Sequence, residues 1–118
     1  MTPETFVSIL KTECRDSAVT SCIASLEAPP GRRPAPDLVA LSQWFRSLAE
    51  SDRRSMESAM RMAADATLFG VLSVIDGVRV VESDPEKSEF TLTATKTGVV
   101  SVISPSETLL HDLLRAEP

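Results

Sequence analysis

The side chains able to do chemistry in this chain are few. His111 is the only histidine, so no metal site that needs two imidazoles can form. Cys14 and Cys22 supply the only thiols. With His111 and a carboxylate they would formally make a zinc set, but their spacing matches none of the usual ligand patterns. On one helix these cysteines would lie about 12 Å apart along the axis. A disulfide needs Cα atoms within about 7 Å, so two reduced thiols are expected. There are only four glycines, with no Gly-x-Ser-x-Gly elbow, no Gly-x-x-x-x-Gly-Lys loop and no Gly-x-Gly-x-x-Gly fingerprint. Esterase-type serine chemistry and phosphate cradling of those kinds are excluded. The 17 acidic residues offer many carboxylate pairs for acid–base work, none marked out by its surroundings.

His111-Asp112 is similar to the dipeptide of metal-dependent phosphohydrolases, but those need further histidines that this chain lacks. His111 stands between apolar pairs and is expected as a partly exposed structural residue. No metal and no cofactor are expected. The residues favour a non-catalytic binding or regulatory protein; the alternative is a small enzyme or enzyme subunit using carboxylate chemistry.

Charge locates a candidate surface. The net charge is −5, and the acidic excess lies wholly after residue 61. Within it, Glu82, Asp84, Glu86 and Glu89 cluster with only Lys87 to offset them. Such a cluster suits a solvated turn, or the docking of a basic protein partner by long-range attraction. An acidic balance disfavours nucleic acid, which is bound by Lys and Arg on phosphates. An immunity protein that neutralises a basic bacterial toxin is one specific form of this reading. A homo-oligomer is compatible with it.

The elements that must position these residues follow from periodicity. The 118 residues suit a single domain, 1–118, with 42 % apolar and 25 % charged residues. Thr2-Pro3-Glu4 reads as a helix start, followed by Phe6, Ile9 and Leu10 at helical spacing. Val19, Cys22, Ile23 and Leu26 continue the pattern, as one bent helix or two. Pro29 to Pro36 holds four of the eight prolines and must be a loop. Pro36-Asp37 opens a helix with Leu38, Leu41, Phe45 and Leu48 inward, and Trp44 at the edge of that stripe, its ring expected against the Pro29–Pro36 loop. Ser51-Asp52 opens the longest helix, with Arg53, Glu57, Arg61 and Asp65 forming an i,i+4 ladder of alternating charge. Residues 68–82 read either as a hairpin around Asp76-Gly77 or as a helix continuing to Ile75 and capped by Gly77. The helix is favoured, because nothing upstream breaks it.

Three strands are then expected: Val78–Glu82, Phe90–Thr95 with period-two alternation, and Val99–Ile103 after a tight Lys96-Thr97-Gly98 turn. Ser104-Pro105-Ser106-Glu107 reads as a capping box opening a last helix with Leu109, Leu110, Leu113 and Leu114 inward. The fold class is therefore α+β: mainly helical for the N-terminal two-thirds, then a three-stranded antiparallel meander and a C-terminal helix. No segment approaches the ~20 apolar residues of a membrane span, and Met1-Thr2-Pro3-Glu4 lacks the start of a secretory signal. A cytoplasmic protein without a membrane partner is expected.

A pattern of residues adds to this. Pro-Pro-Gly-Arg at 29–32, Leu41-Ser42-x-Trp44-Phe45, Asp52-Arg53, Phe69-Gly70-x-Leu72-x-Val74-x-Asp76-Gly77-Val78-Arg79 and Leu110-His111-Asp112-Leu113 together resemble a group of small bacterial proteins of uncharacterised function. The resemblance covers most of the chain and implies a bacterial origin, with no activity attached to any residue.

Overall fold

A computed structural model describes residues 1–116. It is α+β and mostly helical, in the order α1 (Pro3–Leu10), a π-helical stretch (Lys11–Asp16), α2 (Ser17–Glu27), α3 (Pro36–Ser47), α4 (Glu50–Ile75), β1 (Leu92–Lys96), β2 (Val99–Ser104) and α5 (Leu110–Arg115). Two compact units result. One joins Met1–Thr12 to the chain from Ala66 onward; the other is Glu13–Asp65.

In the first unit, Thr2 caps α1 by accepting a hydrogen bond from the Thr5 amide at 3.1 Å, and Pro3 occupies the first helical position, where no amide is needed. The core is Val7, Leu72, Ile103, Leu110 and Leu114, with Phe6, Leu68, Phe69 and Leu92 among the partly buried residues around it. Helix α4 ends in a Schellman motif. Gly77 takes φ +76°, its amide donates to the Val74 carbonyl, and the Val78 amide reaches back to Ser73. Only glycine adopts that φ without a steric penalty.

The sheet has two strands, not three. β1 and β2 are antiparallel, joined by Thr97 and Gly98 at φ 52° and 78°, the two positive values of a type I′ turn. Ile103 is the extra residue of a bulge, because Leu92 pairs with Ser104 and Thr93 with Val102. The expected strand Val78–Glu82 does not form. Its first two amides, of Val78 and Arg79, both donate to Ser73 at the end of α4, so they are taken by the helix cap. The Arg79 side chain lies against Gly70 of α4, where a β-carbon would come within 2.6 Å of a guanidinium nitrogen.

The last helix also begins later than the Ser104–Glu107 pattern suggests. Ser104 is buried, Ser106 donates to the Thr108 carbonyl, and α5 starts at Leu110 without a side-chain cap from its own N-cap residue, Leu109.

In the second unit α2 and α3 bury Val19, Leu26 and Phe45. The buried Ser42 hydroxyl donates to the Leu26 carbonyl at 2.6 Å, satisfying an acceptor at the end of α2. Arg53 donates to the Leu48 and Arg46 carbonyls and so closes the C-terminus of α3 instead of joining a ladder. Of the expected ladder, Arg61–Glu57 forms at 3.0 Å, while Asp65 pairs with Arg15 at 3.1 Å. Asp16 first, and Asp65 with it, raise the pKa of the Arg15 guanidinium against the lowering effect of burial. Trp44 is 46 % exposed.

Helix α4, at 26 residues, is long and apolar enough to cross a bilayer by length and composition. Its most apolar stretch, with mean hydropathy 1.3, still carries the ion-paired Arg61 and Asp65.

Candidate binding surface

The surface after α4 hangs on one carboxylate. Asp76 stands in the turn that ends α4, with its side chain 1 % exposed. Its Oδ1 accepts the Leu110 amide at 3.0 Å, and its Oδ2 accepts the His111 amide at 2.9 Å and meets His111 Nδ1 at 2.6 Å. Asp76 is thus the N-terminal cap of α5, supplied 34 residues away in sequence. The free amides of a helix start carry a partial positive charge that suits a carboxylate.

The far side of the imidazole, Nε2, lies 3.3 Å from Asp112. Phe69 meets the imidazole edge-on, with centroids 5.4 Å apart, and the Arg115 guanidinium sits 4.3 Å from the Phe69 centroid. With both ring nitrogens and both Asp76 oxygens engaged, this cluster clamps α5 to the end of α4.

From that clamp the chain runs as Val78–Thr91 without regular structure, then as the β1–β2 hairpin. Apolar side chains crowd the run. Val78, Val80, Val81, Phe90, Val99, Val100 and Val102 are all exposed, Val80 at 78 % and Val99 at 67 %. A cleft of about 490 Å³ opens among the Asp76–Gly77 turn, residues 87–91 and Ser104-Pro105.

The four acidic residues of the expected patch do not behave alike. Glu82 turns inward on its own loop: its carboxylate accepts the Ser88 amide at 2.6 Å and the Ser88 hydroxyl at 2.9 Å, while Lys87 donates to its carbonyl. Asp84, Glu86 and Glu89 are exposed. The loop closed by Glu82 therefore presents three carboxylates to solvent beside the valines.

Sequence reasoning missed Asp76, which it read only as half of an Asp-Gly turn. The spacing from Asp76 to His111 holds no local signal, because the bond is tertiary. Cys14 and Cys22 are free and exposed, and among the described residues no three His, Cys, Asp or Glu side chains gather as a metal site. No protein-family model, curated protein or solved structure matches the chain.

Proposed function

We propose that the chain acts by binding a basic protein through the surface from Val78 to Val102, without catalysis of its own. One observation carries this. Among the described residues thirteen large apolar side chains are exposed while eight are buried, and seven of the thirteen fall between Val78 and Val102. Exposed apolar side chains concentrated in one stretch mark a contact site, whereas scattered ones need no explanation. Asp84, Glu86 and Glu89 border that stretch, in the half of the chain that carries the whole acidic excess. Protein interfaces combine apolar side chains with polar and charged ones in this way. Its sign suits a basic partner, and neutralising a basic toxin in the bacterial cytoplasm is the specific role that fits a small acidic chain of this kind.

Partners captured from the native host would be ranked by net charge, and association and dissociation rates measured at two salt concentrations. Replacing Asp84, Glu86 and Glu89 together by Ser should slow association and flatten its salt dependence, since rim charges act on encounter. Replacing Val80 and Val81 by Ser should speed dissociation. A partner whose association ignores both salt and the triple variant overturns the reading.

A further inference from the structure

We infer that β2 is a self-pairing edge, through which two copies of this chain form a continuous four-stranded antiparallel sheet in the order β1-β2-β2-β1. The inference shares Val100 and Val102 with the proposed basic-partner surface, but it does not depend on that reading, because it rests on backbone geometry. In a two-residue hairpin turn the closing pair, Lys96 with Val99, exchanges hydrogen bonds, and hydrogen-bonded and non-hydrogen-bonded pairs then alternate along the ladder. Val99 and Ser101 therefore turn their amides and carbonyls toward β1. Val100 and Val102 turn theirs to the outer edge. Among the described residues no backbone hydrogen bond reaches β2 except those of its ladder with β1. The same two valines are 60 % and 52 % exposed.

Natural edge strands are guarded by charges, prolines, bulges or short length, and the one bulge of β2, at Ile103, lies outside the Val100–Val102 stretch that pairs here. From Val99 to Ser104 there is no charge and no proline. Two copies of a chain with net charge −5 repel each other, so self-association needs a surface without carboxylates, and β2 is one.

Register follows from the pleat. Directly opposed residues in an antiparallel sheet share a face, so a twofold axis must pass through a residue and not between two. An axis at Ser101 sets Val100 of each copy against Val102 of the other. All four outer-edge valines then exchange backbone hydrogen bonds, and their side chains form one cluster on the outward face. Ser101 meets its own copy as a non-hydrogen-bonded pair, with Cα atoms about 4.5 Å apart. That lies within the about 4.4–6.8 Å range of a disulfide.

The test uses the full chain with Cys14 and Cys22 changed to Ser. Sedimentation equilibrium should give twice the monomer mass, and raising salt should strengthen the association, opposite in sign to binding of a basic partner. Ser101→Cys should cross-link the dimer under mild oxidation. Thr95→Cys should not, because β1 and its copy lie about 14 Å apart across three strand spacings. Changing both Val100 and Val102 to Lys should abolish the dimer. Should that variant misfold, the cysteine pair still decides. A monomer at every salt concentration overturns the inference, as does a dimer that Ser101→Cys fails to cross-link or that Thr95→Cys cross-links.

Discussion

Two valine-rich segments follow α4, and they end up differently. Val78-Arg79-Val80-Val81 and Val99-Val100-Ser101-Val102 have similar strand-forming residues, yet only the second is a strand. The second is joined by a two-residue turn to β1, which offers it a ladder in register. The first begins immediately after a helix cap that uses its first two amides, and a loop with Pro85 separates it from β1. β-propensity expresses how well a side chain fits a pleated surface already present. A partner strand must be presented locally, and here the cap prevents it. The loop 82–91 is instead closed by a side chain, Glu82, where the hairpin is closed by backbone.

The largest expected effect comes from the residue that sets where the first segment starts. Asp76→Ala removes a buried carboxylate that satisfies the Leu110 and His111 amides and the His111 ring. Hydrogen bonds to a charged group contribute about 1.5–3 kcal/mol each, and those left unmade in the interior cost a similar amount. A loss of about 3 kcal/mol in denaturant melts is expected, with α5 detaching first in hydrogen exchange. A loss below about 1 kcal/mol would mean that α5 is held by its leucines alone, and that the start of the Val78 segment is not fixed from that side.

The two turn glycines give the next effect. Gly77 and Gly98 have open space around a built β-carbon, so the cost of alanine there is backbone strain alone. A left-handed residue costs about 1–2 kcal/mol. Gly77→Ala should therefore lower stability by about that amount and loosen the Val78 and Arg79 amides. Gly98→Ala should cost the same overall but loosen the β1–β2 ladder. If both variants loosened the same amides, the two segments would be one cooperative element, and the contrast between them would fail.

Much of the fold was legible because its signals are local. Thr2-Pro3 starts α1, the prolines of 29–36 interrupt the helices, Gly77 ends α4, and the Thr97-Gly98 turn joins alternating strands. What was not legible depends on residues distant in sequence. The Ser104-to-Glu107 capping pattern is locally sound, but Asp76 caps α5 from the end of α4 and moves its start to Leu110. The expected strand Val78–Glu82 was lost to Ser73, whose carbonyl takes two of its amides. Within the acidic cluster, exposure of Asp84, Glu86 and Glu89 follows from their polar surroundings, but the inward role of Glu82 needed Ser88 to fold back across the loop.

That inward role makes the smallest and most discriminating prediction. Glu82→Gln keeps the size of the side chain and removes its charge. Glu82 lies in a largely exposed loop, and substitutions in such places change global stability by less than about 0.5 kcal/mol. The denaturant midpoint should therefore hardly move. The Ser88 amide is different, because its hydrogen bond goes to the Glu82 carboxylate itself. A bond to a charged acceptor is roughly twice as strong as a neutral one, so an amide oxygen in its place should leave Ser88 exchanging faster with solvent. The ladder amides of β1 and β2 should exchange at unchanged rates, since backbone pairing alone holds them. Faster exchange confined to the loop would show that a side chain closes the first segment's loop, independently of the hairpin. Faster exchange in the ladder too would show that loop and hairpin open together, and the acidic loop could then not be altered without also altering β2.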